Sequence, residues 1–187
     1  AGIVLALTFL PAVVERHLRV HLPVEFTLLN TVLLYAAFGL GEIRAFYLRF
    51  WWWDLMLHSL YATVLGLIGF LIVYVFHSAR RFSLAPIYVA AASFGFALTL
   101  GTLWEIFEYV MEWSFGLNMQ KSGLDDTMTD LMVDTAGGLI AAWIGYHYVK
   151  GGDTALAARL IQRFVAHNPR LFPASKFDKR DTARERH

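Results

Sequence analysis

The sequence predicts an all-α fold: a polytopic transmembrane helix bundle of four to five spans, followed by a C-terminal amphipathic surface helix. Three observations lead there. Of the 187 residues, 57% are hydrophobic and the mean hydropathy is +0.49, above the roughly 45–50% apolar share of soluble domains. Apolar runs of about 20 residues recur, enough to cross a hydrocarbon core of roughly 30 Å. The formal net charge of +1 hides a segregation, because acids crowd the apolar region while bases lie outside it.

The elements follow in chain order. Gly2–Val14 is the weakest candidate, short for a span and carrying Pro11, and it lacks the basic flank of a signal-peptide core. Val24–Leu40, Trp53–Phe76, Ile87–Phe115 and Asp126–Val149 are the strong spans. Arg80-Arg81 and Pro86 separate the third from the fourth, and Gly116–Gly123 with Asn118 and Lys121 separates the fourth from the fifth. Residues 1–150 therefore read as the bundle, and residues 151–187 as a cytoplasmic amphipathic helix with a basic tail. In that helix Leu156, Leu160 and Phe164 recur every four residues, as do Arg159, Arg163 and His167, a pattern suited to the inner leaflet.

Basic residues set the orientation. With five spans and the tail inside, Arg16, Arg19, Arg80, Arg81 and nine bases from Lys150 to Arg186 are internal, thirteen of the sixteen. Only Arg44, Arg49 and Lys121 stay outside. The positive-inside rule then puts the amino terminus outside and the carboxyl terminus in the cytoplasm.

Eight of the fifteen acidic residues lie between Asp54 and Asp134, inside or at the ends of spanning segments. A carboxylate in hydrocarbon is expensive and normally faces a protein interior or a watery cavity. At about 1.5 Å per residue, His58 lies roughly 8 Å deep, Glu105 and Glu108 roughly 10 to 15 Å, and Asp130 and Asp134 roughly 6 to 12 Å. Three helices thus bring polar groups to similar depth in the outer half of the membrane. Asp126, Asp130 and Asp134 share one helical stripe, as do Asp54 and His58. Gly137, Ala141 and Gly145 form a small-residue ridge for close helix packing, and Gly95 with Gly101 thins the fourth span.

The candidate pocket is therefore His58, Glu105, Glu108, Asp130 and Asp134, with Asp54, Asp126 and Gln120 as secondary candidates. So many carboxylates cannot all be ionised in a poorly solvated space. Either some hold protons or a cation neutralises them. Carboxylates with one imidazole suit a divalent cation such as Zn²⁺, Mn²⁺, Fe²⁺ or Ca²⁺. The chain has no cysteine, which excludes disulfides, thiolate ligands and cysteine nucleophiles. A di-iron bundle would show two Glu-x-x-His pairs, and this chain has Glu105-x-x-Glu108 with a single central histidine. Plainer readings stand beside these. Asp125 and Asp126 cap the fifth helix, Asp54 meets water or Arg49, Glu112 is interfacial, and the tryptophans belt the interface.

Several ordered motifs resemble a known family. They are Phe46-Tyr47 through Trp53-Asp54-Leu55-Met56-Leu57-His58, the run Gly66-Leu67-Ile68-Gly69-Phe70, Gly101-Thr102-Leu103-Trp104-Glu105-Ile106-Phe107-Glu108, and Met119-Gln120. Asp126-Thr127-Met128-x-Asp130-Leu131-x-x-Asp134-x-x-Gly137 completes the set. Over roughly residues 15 to 150 the chain resembles the YjdF-like family of small multi-pass bacterial inner-membrane proteins. A fainter similarity to VanZ-like proteins lies in the acidic helix followed by Gly137-Gly138. The resemblance implies a bundle in the bacterial inner membrane with motif positions His58, Glu105, Glu108, Asp126, Asp130 and Asp134. It implies no reaction.

Two functions compete at this point. One is cation-dependent chemistry or transport on a membrane-associated substrate, with Gln120 and Lys121 at the mouth of the acidic cluster. No nucleophile elbow, phosphate loop or arginine clamp marks a reaction type. The other is an accessory subunit of a larger membrane complex, such as an energy-transducing or photosynthetic assembly. The expected partners are the lipid bilayer and partner membrane subunits or further copies of the chain, with no nucleic acid.

Overall fold

The computed structural model of the protein describes residues 23–78, 85–151 and 155–169, with short stretches before them at 8–9, 12–13, 15–17 and 21. Most of the expected span Gly2–Val14, the Arg80-Arg81 break and the tail beyond residue 169 lie outside the described residues. The described residues form helices joined by short turns and loops, in the order α1 (Val24–Leu34) running on as a π-helix over Tyr35–Ile43, α2 (Phe46–Arg49), α3 (Trp53–Ser78), α4 (Pro86–Phe115), α5 (Leu124–Val149) and α6 (Ala155–His167).

Among the described residues, three stretches are long and apolar enough to span a membrane: Val24–Ile43, Trp53–Tyr74 and Pro86–Phe115. With 26 residues, α5 is as long as α3 and is packed between α3 and α4. Its first half carries the acids that lower its hydropathy and keep it out of that set. Boundaries agree with expectation to within a few residues. The exception is the first span, which was expected to end at Leu40 and instead continues as a π-helix to Ile43.

Small residues hold α3, α4 and α5 together. A Cβ at Gly137 would stand 2.5 Å from the Ser59 carbonyl of α3, and one at Gly145 would stand 2.7 Å from the Phe70 ring. Ala141 meets Gly66, where a Cβ would stand 2.5 Å from its methyl. The expected ridge therefore packs on α3, with the two helices running in the same direction. Gly138 turns to α4, where a Cβ would stand 3.3 Å from Ala97. Gly101 opens room for Asp134, whereas Gly95 faces open space and thins nothing. The Ser93 hydroxyl donates to the Gly66 carbonyl at 2.7 Å, inside the bundle.

α1 and its π-helix lie along α3 in the opposite sense. Phe26 joins Phe70, Leu71, Tyr74, Val89 and Ile161 in one apolar cluster, while Leu33 and Ala36 join Trp53 and Leu57 in another. Gly41 leaves space for the Tyr47 ring. Ala45 then turns the chain into α2 with φ 56°, a left-handed conformation that costs an L-residue roughly 1–2 kcal/mol.

α6 buries Ile161 and Phe164 against the end of the bundle, so its apolar face is at least partly used by protein. Burial of Leu156 and Leu160 lies outside the described residues. Asn168 fastens this helix: its Oδ1 accepts from the His21 amide at 2.7 Å, and its Nδ2 donates to the carbonyls of His21 (2.8 Å) and Phe164 (2.7 Å). Arg163 pairs with Glu25.

Candidate functional site

The opposite end of the bundle is polar. His58, one turn into α3, stands between four carboxylates. Its Nδ1 is 3.3 Å from Asp134 Oδ1 and 3.9 Å from Glu105 Oε1, and its Nε2 is 3.9 Å from Asp130 Oδ2 and 4.0 Å from Asp54 Oδ1. The i, i+4 spacings expected from sequence place these groups: Asp54 and His58 on α3, Asp130 and Asp134 on α5, with Glu105 arriving from α4. Glu105 and Asp134 reach the same nitrogen, which puts those two oxygens within the separation of about 8 Å over which one ion or bridging water connects them.

Burial here is nearly complete. Glu105 is 4% exposed, and Asp130 and Asp134 are each 2% exposed. Even so, both oxygens of Glu105, Oδ1 of Asp130 and Oδ2 of Asp134 have no hydrogen-bond partner among the described residues. Thr127, whose hydroxyl accepts from Gln120 Nε2 at 2.7 Å, lies beside Glu105 without closing a bond to it. Asp134 Oδ2 rests over Gly101, where any side chain would collide with it. A buried carboxylate without partners costs several kcal/mol, and here three carboxylates, each with at least one unpartnered oxygen, meet around one imidazole.

The remaining candidates form an outer ring. Glu108 is half-buried and within the electrostatic reach of Glu105, His58, Asp54 and Asp130. Asp126 Oδ2 accepts the Lys121 amide at 3.2 Å. Gly123, in a positive-φ conformation, is the N-cap of α5, so Asp125 and Asp126 sit in its first turn instead of capping it. Gln120 is committed elsewhere: its amide N–H donates to Glu112 Oε2 at 2.9 Å and its side chain to Thr127. Both bonds tether the α4–α5 loop.

Sequence reasoning missed the partner of Asp54. It is Lys121 and not Arg49: the lysine ammonium pairs with the Asp54 carboxylate and stands 3.5 Å from the centroid of the Tyr47 ring. Burial, and behind it the negative charge of Asp54, Glu42 and Glu108, pushes the Tyr47 phenol up beyond its ordinary range, so it stays protonated. A lone lysine beside an otherwise acidic region was the available signal.

Among the described residues, two groups of ligand-type atoms come together, each with its atoms within 4.8 Å of one another: His58, Glu105 and Asp130, and then Asp54, Asp126 and Asp130. Ligands around one ion at about 2.1 Å stand roughly 3–4 Å apart, so either group closes on a cation with small side-chain movements.

A family model described as "Predicted membrane protein (DUF2238)" matches residues 1–151 of the chain. No curated protein and no solved structure matches it. The match covers the whole bundle, and the chain belongs to this membrane-protein family.

Proposed function

We propose that this member of the DUF2238 family binds a divalent cation among α3, α4 and α5 and uses it on a polar, membrane-associated substrate. The ligands are His58, Glu105 and Asp130. The observation that carries the reading is the set of unpartnered oxygens on Glu105, Asp130 and Asp134, all nearly fully buried around one imidazole. A hydrogen-bonded structural network would leave few such atoms; a cation offsets their desolvation directly.

The donor set of imidazole and carboxylate suits Zn²⁺, Mn²⁺ or Fe²⁺. Binding through Nε2, beside Asp130, leaves Nδ1–H to donate to Asp134, the arrangement in which a second carboxylate orients a ligand histidine. Asp134 is then a positioning residue. An ion here supplies Lewis-acid polarisation of a substrate oxygen. By the distribution of basic residues, the site lies in the outer half of a bacterial inner membrane, with the carboxyl terminus cytoplasmic. A reporter fused after His187 is then active only inside.

Elemental analysis paired with native mass on detergent-purified protein tests the binding. The expected result is one divalent ion per chain, lost in His58→Gln and Glu105→Gln. A metal-free protein that always purifies with stoichiometric partners would overturn it and favour an accessory subunit.

A further inference from the structure

We infer a second cation site at the mouth of the pocket, formed by Asp54, Asp126 and Asp130, where the ammonium of Lys121 competes with a metal ion for Asp54. This rests on the proposed inner site and extends it to a two-ion centre bridged by Asp130.

Asp130 belongs to both groups of ligand atoms, and its two oxygens are differently engaged. Oδ2 faces His58 Nε2 at 3.9 Å, on the inner side. Oδ1 is buried with no partner among the described residues, so it is available to a second ion. Carboxylate bridging of this kind holds ions about 3.5–4 Å apart in two-metal sites.

A cation already stands beside the outer position, paired with one of its three carboxylates. Lys121 reaches it from the α4–α5 loop, paired with Asp54 and seated over the Tyr47 ring, while its own amide is bound to Asp126. The loop thus delivers a positive charge to the edge of the group, at Asp54. Charge favours exchange. Asp54, Glu105, Glu108, Asp126, Asp130 and Asp134 provide six carboxylates. When all are ionised, one lysine and one divalent ion leave three negative charges uncompensated. Replacing the lysine by a second divalent ion leaves two. Lys121 therefore acts as a tethered competitor that lowers the affinity of the outer site and is expelled when the second ion enters.

Mn²⁺ titration followed by electron paramagnetic resonance tests this. Lys121→Met keeps the side-chain length and removes the charge; it is expected to bind two spin-coupled Mn²⁺ ions, the second at least tenfold more tightly than the wild type does. In the wild type, saturating Mn²⁺ is expected to make Lys121 at least tenfold more reactive toward a water-soluble acylating reagent, read by peptide mass. That readout stands even where the variant fails to fold. A single uncoupled Mn²⁺ in Lys121→Met, or wild-type labelling unchanged by Mn²⁺, overturns the outer site and leaves the inner one standing. Absence of any bound Mn²⁺ in either protein overturns both.

Discussion

The two ends of the α3–α4–α5 bundle share one packing device and differ in what it encloses. Toward α6, Gly145 admits the Phe70 ring, and Phe70, Tyr74, Val89 and Ile161 close an apolar cluster. Toward the α4–α5 loop, Gly101 admits a carboxylate, and the enclosed groups are His58, Glu105, Asp130 and Asp134. The first end is closed mainly by apolar contact. The other retains four unpartnered oxygens on Glu105, Asp130 and Asp134 and is stable only because the rest of the bundle holds it. The difference teaches where stability originates and where it is given up, a separation expected when a site is maintained for function.

The largest effect that would sharpen this contrast is expected from Gly137→Leu. Its Cβ would press on backbone, the Ser59 carbonyl, which cannot rotate away, so the cost should reach or exceed the upper end of overpacking penalties, about 3 kcal/mol. The detergent melting curve should shift strongly or vanish, while Gly95→Leu, facing open space, should leave it unchanged. Equal behaviour of the two variants would mean that the ridge does not hold the helices.

Asn168→Ala comes next. It removes three hydrogen bonds from a buried side chain that ties α6 to the segment before α1. A loss of about 1–3 kcal/mol is expected, with faster amide exchange confined to α6 and its neighbours. Exchange that spreads through the polar end instead would break the separation between the two ends.

The smallest effect has the opposite sign. Glu105→Gln takes an unpaired charge out of the interior at nearly constant volume, so the chelator-treated protein should gain about 1 kcal/mol. The same variant should lose the rise in melting temperature that Mn²⁺ gives the wild type. Destabilisation of the chelated protein would show that Glu105 is already satisfied.

Much of this was legible in the sequence, for physical reasons that can be named. Carboxylates inside apolar runs have few tolerable surroundings, so spacing and depth alone brought Glu105, Asp130 and Asp134 to His58. The Gly137–Gly145 ridge was readable because only small residues let helix backbones approach. Pairings across long stretches of chain were not readable. Lys121 meets Asp54 and Asn168 meets His21 across 67 and 147 positions, and neither pair has a periodicity to reveal it. The π-helix over Tyr35–Ile43 was also hidden, because its hydropathy is that of any span, and α2 follows only after Ala45 turns the chain.

The central claim is that the polar end is a cation site with His58 as its only nitrogen ligand. Electron spin-echo spectroscopy of Mn²⁺ bound to the wild-type protein tests it most directly. The account predicts modulation from a single histidine nitrogen, abolished in His58→Gln. Bound Mn²⁺ with no nitrogen coupling, or coupling that survives His58→Gln, would contradict it.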